Sequence, residues 1–278
     1  MQNFNPVVQD SIYDPNSPSS MSLALFESHG SKIVGSLFLA SGEGLHPVII
    51  LLHGFPGNEV NFDLAHVFRR QGFNVLVFHF RGCWGSDGDY SWKNCNEDTQ
   101  AAVDFLKSDY ARENFRVDGS KIILAGHSMG GFAALYTSIF NDGIKNVVSI
   151  AGFNSGAFGD ILESSRLIYD YSLQTIISSI PFIRNATAES LLDEYIANRR
   201  EWNLLNYIDK LSQKKLLLIG AMHDMIAPTD IHHKPLVERL EKEKAEMQSS
   251  ILECGHSFAD KRIELAQLIS DWLYKINF

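Results

Sequence analysis

Apolar runs and amphipathic stretches alternate along most of the chain. Residues 47–52 read Pro-Val-Ile-Ile-Leu-Leu, without the polar alternation of a half-exposed strand. Such a run suits a strand covered on both faces, as parallel strands are. Similar runs at 73–80, 121–125, 146–151, 215–220 and 247–253 predict further buried strands. Helical spacing falls between them, at 62–71, 96–109, 130–140, 232–244 and 258–275. In 96–109 the period is carried by Ala101, Ala102, Phe105 and Leu106. Upstream, 21–28 and 33–40 flank the turn His29-Gly30-Ser31-Lys32 and predict an antiparallel hairpin at a sheet edge. Residues 1–20 are polar and predict an irregular leader.

The rhythm breaks after Ala151. Residues 154–209 hold helical stretches and no clear buried strand, and a stretch of about 55 residues is too long for a plain connection. The expectation is an α/β chain, with a mostly parallel eight-stranded sheet, helices on both faces and a helical cap insertion. Core segments 21–153 and 210–278 would flank the cap at 154–209. Ligand sites in such sheets lie at the carboxyl ends of the strands, which directs attention to the loops there.

Composition narrows the function. The chain has 278 residues, 45% of them hydrophobic, ample for one sizeable core. A formal net charge of -9 argues against nucleic acid and anionic lipid as partners. No stretch approaches the roughly 18 apolar residues of a membrane span. Three scattered cysteines, Cys83, Cys95 and Cys254, form no C-x-x-C pair and suggest a reducing compartment. With no apolar signal segment in the leader, the expected location is the cytoplasm. Nothing in the sequence decides between a monomer and a homodimer.

One stretch carries chemistry. The strand at 121–125 runs into Gly126-His127-Ser128-Met129-Gly130, and a helical pattern leaves it. Strand, tight turn and helix around one serine make a nucleophile elbow, whose sharp turn demands small residues two positions either side. A serine hydroxyl needs a base, a group that orients the base, and donors for the oxyanion. The base candidate is His256, behind Gly255 in the loop after the last strand. The acid candidate is Asp224, in the loop after 215–220; the rival Asp230 reads as the N-cap of the next helix. Backbone N–H groups of Met129 and Phe55 are the oxyanion-hole candidates, Phe55 lying in His53-Gly54-Phe55-Pro56-Gly57. His53 is expected to brace that loop, and His127 to point away from the site. No His, Asp or Glu spacing calls for a metal, and no cofactor is implied.

These segments resemble the α/β-hydrolase superfamily, in which acid and histidine follow the serine in this order. The loop Arg81-Gly82-Cys83-Trp84-Gly85-Ser86-Asp87-Gly88 is similar to the superfamily's Arg-Gly-x-Gly-x-Ser segment with one residue inserted. Its form, with Trp84 and the following Tyr90-Ser91-Trp92, is similar to feruloyl/cinnamoyl-type esterases. It is also similar to catalytic domains of the prolyl oligopeptidase and dienelactone hydrolase groups, although dienelactone hydrolase itself uses cysteine. The resemblance implies an α/β-hydrolase fold and hydrolysis of a small-molecule ester through an acyl-serine. A peptidase, an acylaminoacyl hydrolase or a thioesterase would need the same triad. A non-catalytic binding protein would need none of it. The short stretch before the fold disfavours peptidases with a large filtering domain. The cap would set substrate choice, with Phe153, Tyr169 and Tyr171 as candidate substrate contacts. Phe158, Phe182, Ile183 and Trp202 could line the same pocket or pack the cap. Arg166, Arg184, Arg199 and Arg200 are alternatives for a substrate carboxylate.

Overall fold

A computed structural model describes residues 4–276. The chain begins with the expected hairpin, β1 (Ser20–Ser28) and β2 (Ser31–Leu39). There follow β3 (His46–Leu52), α1 (Phe62–Arg70), β4 (Asn74–Phe78), α2 (Trp92–Leu106), α3 (Asp109–Phe115), β5 (Val117–His127), α4 (Met129–Phe140) and β6 (Asn146–Ile150). Next come α5 (Ser155–Ser164), α6 (Arg166–Ile177), α7 (Ala188–Asn198) and α8 (Ile208–Leu211), with short 3-10 turns between them. The chain closes with β7 (Lys215–Ala221), α9 (Thr229–His232), α10 (Lys234–Lys242), β8 (Met247–Leu252) and α11 (Arg262–Lys275).

The eight strands form one sheet in the order β1-β2-β4-β3-β5-β6-β7-β8. Only the β1–β2 and β2–β4 pairings are antiparallel. The unalternated apolar runs have the anticipated cause. In β3, Val48, Ile50 and Leu52 enter the core on one face, while Ile49 and Leu51 enter the core on the other. Burying each such side chain contributes about 1.5–3 kcal/mol. Helices α1 and α11 cover one face through Phe68, Ile269 and Trp272. On the other face α2 and α4 pack through Ala102, Val103 and Phe132, joined by Leu191, Tyr195 and Trp202 from the stretch after β6.

Several boundaries differ from the expectation: the closing helix starts at Arg262 rather than 258, and 232–244 is divided between α9 and α10. The helix foreseen at 96–109 starts earlier, where the Ser91 side chain accepts the Asn94 N–H and caps α2. Ser108 then caps a separate helix, α3, which the period did not separate. Between β6 and β7 the residues form helices and turns, with one isolated bridge at Ile183 and no strand. The leader lies against α1 and α11, where Pro6 O accepts from Arg70 and Asn5 donates to Gln267.

Candidate active site

Ser128 lies between β5 and α4 with φ 56° and ψ -120°, a strained conformation for a residue with a side chain. Three hydrogen bonds impose it. The Ser128 N–H donates to Ile150 O at 2.8 Å, and its carbonyl accepts from Phe132 at 3.1 Å and Phe153 at 3.2 Å. The flanking glycines are required by space: a Cβ on Gly126 would overlap the Gly130 carbonyl, and one on Gly130 would overlap that of Leu52. Met129 opens α4, so its N–H has no acceptor within the helix and forms part of the dipole's positive end.

Asp224 and His256 come together as the strand ends predicted. Asp224 Oδ2 accepts from His256 Nδ1 at 2.7 Å, and Oδ1 accepts the N–H groups of Ile226 at 2.9 Å and Ala227 at 2.7 Å. Burial alone would push the Asp224 carboxyl up; the His256 hydrogen bond and charge outweigh it, with help from those N–H groups. The net pKa lies below the ordinary value, so Asp224 is a carboxylate at neutral pH. An imidazole whose Nδ1 proton is given to Asp224 keeps its lone pair on Nε2. The rival Asp230 is not the N-cap: Pro228 holds that position, while Asp230 sits in the first turn of α9 and pairs with Lys234.

His127 does not turn away as expected. Its Nε2 donates to the His256 carbonyl at 2.8 Å, and the two rings lie 4.7 Å apart. The residue before Ser128 therefore holds the loop that carries His256. Burial, and then the charge of His256, push the His127 pKa down to about 4, so it is neutral there. His232, wholly within the fold behind Asp224, accepts the Asn154 N–H on Nδ1. Burial likewise pushes it down to about 4.

The loop after β3 touches the elbow. A Cβ on Gly54 would stand 3.0 Å from Ser128 Cβ. His53 braces the loop as expected: its Nδ1 donates to Gly54 O at 2.7 Å. That carbonyl shares a peptide plane with the Phe55 N–H, so the bond orients this donor. His53 is fully buried, which pushes its pKa down to about 3 and makes it unfit as a base. The Phe55 ring packs on Tyr90 and Trp92, at 5.6 and 5.1 Å.

Comparison with known proteins identifies the family. Residues 49–268 match the alpha/beta hydrolase family. The chain belongs to that family. It is 27% identical over 233 residues to the uncharacterized protein YfhR of Escherichia coli K12, covering 81% of this chain and 70% of YfhR. The fold is similar to that of a Pyrococcus horikoshii acylaminoacyl peptidase, with TM-score 0.69 and 16% identity. That match covers 94% of this chain and 43% of the peptidase, so the hydrolase spans less than half of it. A Pyrococcus furiosus esterase matches with TM-score 0.64 and 18% identity, over 92% of this chain and 91% of the esterase.

In this α/β hydrolase the loop after β4 joins the site to the helical stretch. Arg81 anchors the loop, its N–H and Nε donating to the buried Asp98 carboxylate at 2.7 and 2.6 Å. Main-chain bonds run from Arg184 N to Gly82 O and from Tyr90 N to Arg184 O. The Glu194 carboxylate of α7 accepts the Trp92 and Lys93 N–H groups at the start of α2, both at 2.9 Å. No period or motif announced Glu194 or Asp98; each acts through a pair of bonds to residues outside its own turn of helix.

The substrate-contact candidates separate. Phe153 adjoins the elbow through its N–H bond to Ser128, but its ring is buried and stacks on His232 at 4.2 Å. Tyr169 on α6 spends its hydroxyl on Asp193, and Tyr171 is 73% exposed. Arg166, Arg184 and Arg199 each face a carboxylate within the chain, namely Asp170, Asp87, and Asp160 with Glu163. Among the described residues no three His, Cys, Asp or Glu side chains gather as a metal site. Among the same residues no helix is long and apolar enough to cross a membrane.

Proposed function

We propose that this protein is a serine hydrolase that cleaves carboxylic esters through an acyl-serine intermediate. Ser128 Oγ attacks the ester carbonyl while His256 takes its proton. Asp224 holds the imidazole tautomer and stabilises the imidazolium. The proton then passes to the departing alkoxide, and the C–O bond breaks. Water, deprotonated by the same histidine, hydrolyses the acyl-serine and restores the enzyme. Met129 and Phe55 N–H groups receive the oxyanion, and such a donor is worth about 3–4 kcal/mol to the transition state.

The observation that carries this reading is the 2.7 Å bond between Asp224 and His256, on a loop tied to His127, the residue before Ser128. A binding protein has no need of a buried carboxylate that fixes an imidazole tautomer beside a strained serine. We assign the helical stretch 154–209 as the cap that borders the substrate, on the support of its attachment to the loop after β4. We assign Phe153 to the floor beneath Ser128, on the support of its N–H bond to the Ser128 carbonyl, while Tyr171 faces solvent. The three cysteines, all free and buried, favour a reducing compartment such as the cytoplasm.

The test is a panel of short acyl esters, hydroxycinnamate esters, acyl-CoAs and aminoacyl anilides, run on wild type and Ser128→Ala. Ester hydrolysis lost in the variant supports the assignment. Turnover confined to anilides or acyl-CoAs would move the substrate class, and equal activity in both proteins would remove the serine mechanism.

A further inference from the structure

Trp84 occupies an unusual place. It stands at φ 44° between Gly82 at 74° and Gly85 at 102°, in the left-handed region where a bulky residue is an outlier. It is also 42% exposed, so burial does not account for keeping an indole in that conformation. Strain of this kind persists where the surroundings use it.

Besides the His79 ring at 6.3 Å, the indole has a partner on either side of the site. Its Nε1–H donates to the Pro56 carbonyl at 2.7 Å, in the loop that carries the Phe55 N–H. Its ring lies parallel to Phe182, at 5.4 Å and 10°, from the helical stretch after β6. Phe182 is 51% exposed and is followed by Ile183, which pairs with Cys83 in an isolated bridge. Next to Trp84, a Cβ on Gly57 would lie 2.9 Å from Nε1 and 2.7 Å from His53 Cε1. His53 is the residue whose Nδ1 fixes the Gly54–Phe55 peptide. No room for a side chain remains between indole, Gly57 and His53, so an indole displaced with Phe182 would act on the oxyanion loop.

We propose that Trp84 is a positioning residue that couples the helical stretch to the oxyanion donor at Phe55. It does not touch the reacting atoms. It holds the Pro56 carbonyl, and through the loop it sets where the Phe55 N–H points, while Phe182 sets where the indole lies. This deepens the serine-hydrolase reading and rests on it. A group acting this way alters transition-state stabilisation and leaves ground-state binding nearly as it was.

Trp84→Phe keeps an aromatic face for Phe182 and removes the N–H bond. Loss of one such bond is expected to lower kcat about 3- to 10-fold, with KM changed less than about 2-fold. The loss should be similar for esters of unlike acyl and alcohol groups. Phe182→Ala should lower kcat in the same direction. In the double variant the losses should not multiply, because both act through one bond. A trifluoromethyl ketone, which places an oxyanion on addition of the serine, should weaken in step with kcat/KM, while the matching methyl ketone binds as before. Circular dichroism and the thermal midpoint check that these half-exposed sites leave the fold intact. Unchanged kcat in Trp84→Phe, a loss lying wholly in KM, or multiplying losses in the double variant would overturn the coupling. A wild type that reacts with no fluorophosphonate at Ser128 would instead remove the serine-hydrolase reading itself.

Discussion

Helices α4 and α6 are both twelve residues long, and they live by different rules. In α4 eleven residues are buried, from Met129 to Ile139. In α6 only Ser172 is buried, while Leu167, Tyr171 and Ile177 are more than half exposed. The first helix carries the elbow and is specified by the sheet beneath it. Its neighbours leave no room for a Cβ at Gly126 or Gly130 and dictate the strained turn at Ser128. The second is held at its edges, by Tyr169 to Asp193 and by weak packing on α5 and α7. The chemistry we propose sits on the firmly buried helix. Substrate choice is assigned to the loosely held one, where sequence change costs little stability.

The sharpest break in that contrast comes from Ser128→Ala, which should lower kcat at least about 10⁴-fold with the thermal midpoint nearly unchanged. Steady-state kinetics on a short-chain ester, read beside a melting curve, check both halves. Asp224→Asn should follow, with a loss of about 10³- to 10⁴-fold, since an amide no longer fixes the productive tautomer. Activity within tenfold of wild type would mean that another acid orients His256.

Acid should undo the elbow side first. His53 is held down to about 3, and His127, His232 and His233 to about 4, in each case mainly by burial. Unfolded, these imidazoles take up protons from about pH 6.5 downward. The stability gained by keeping them neutral is complete above that value and is lost as pH falls toward 4. Each unit of lowered pKa is worth about 1.4 kcal/mol. Urea midpoints should be level between about pH 8 and 7 and should fall steeply from about 6.5 to 4. Residues 155–211 contain no histidine, so this loss belongs to the sheet and its loops. A midpoint that stays level down to about pH 5 would contradict the neutral, buried state of these rings. The smallest effect belongs to α6: Leu167→Ser should shift stability by less than about 0.5 kcal/mol. A larger cost in urea unfolding would show that α6 is packed more firmly than its exposure indicates.

The same contrast explains what the sequence disclosed. The unbroken apolar run at 47–52 announced a strand with two buried faces, because both faces pack against helices. Ser128, Asp224 and His256 were legible because each sits at a strand end that the pattern had already located. Trp84 was visible as a mark of family resemblance in a glycine-rich loop, but its contacts were not. Its partners Pro56 and Phe182 lie far away in sequence and are bound through one N–H and one ring face. His127 misled because the elbow was read as a local turn, whereas its imidazole reaches the His256 loop. In the helical stretch, exposed Leu167 and buried Leu191 look alike as letters, and packing alone tells them apart.

The central claim is that Ser128 becomes acylated. The most direct measurement is peptide mapping by mass spectrometry after brief reaction with a fluorophosphonate, and with an activated ester quenched in acid. The account predicts one adduct, on the peptide bearing Ser128, absent from Ser128→Ala and slowed in Asp224→Asn. An adduct on another residue, or ester hydrolysis that survives in Ser128→Ala, would contradict it.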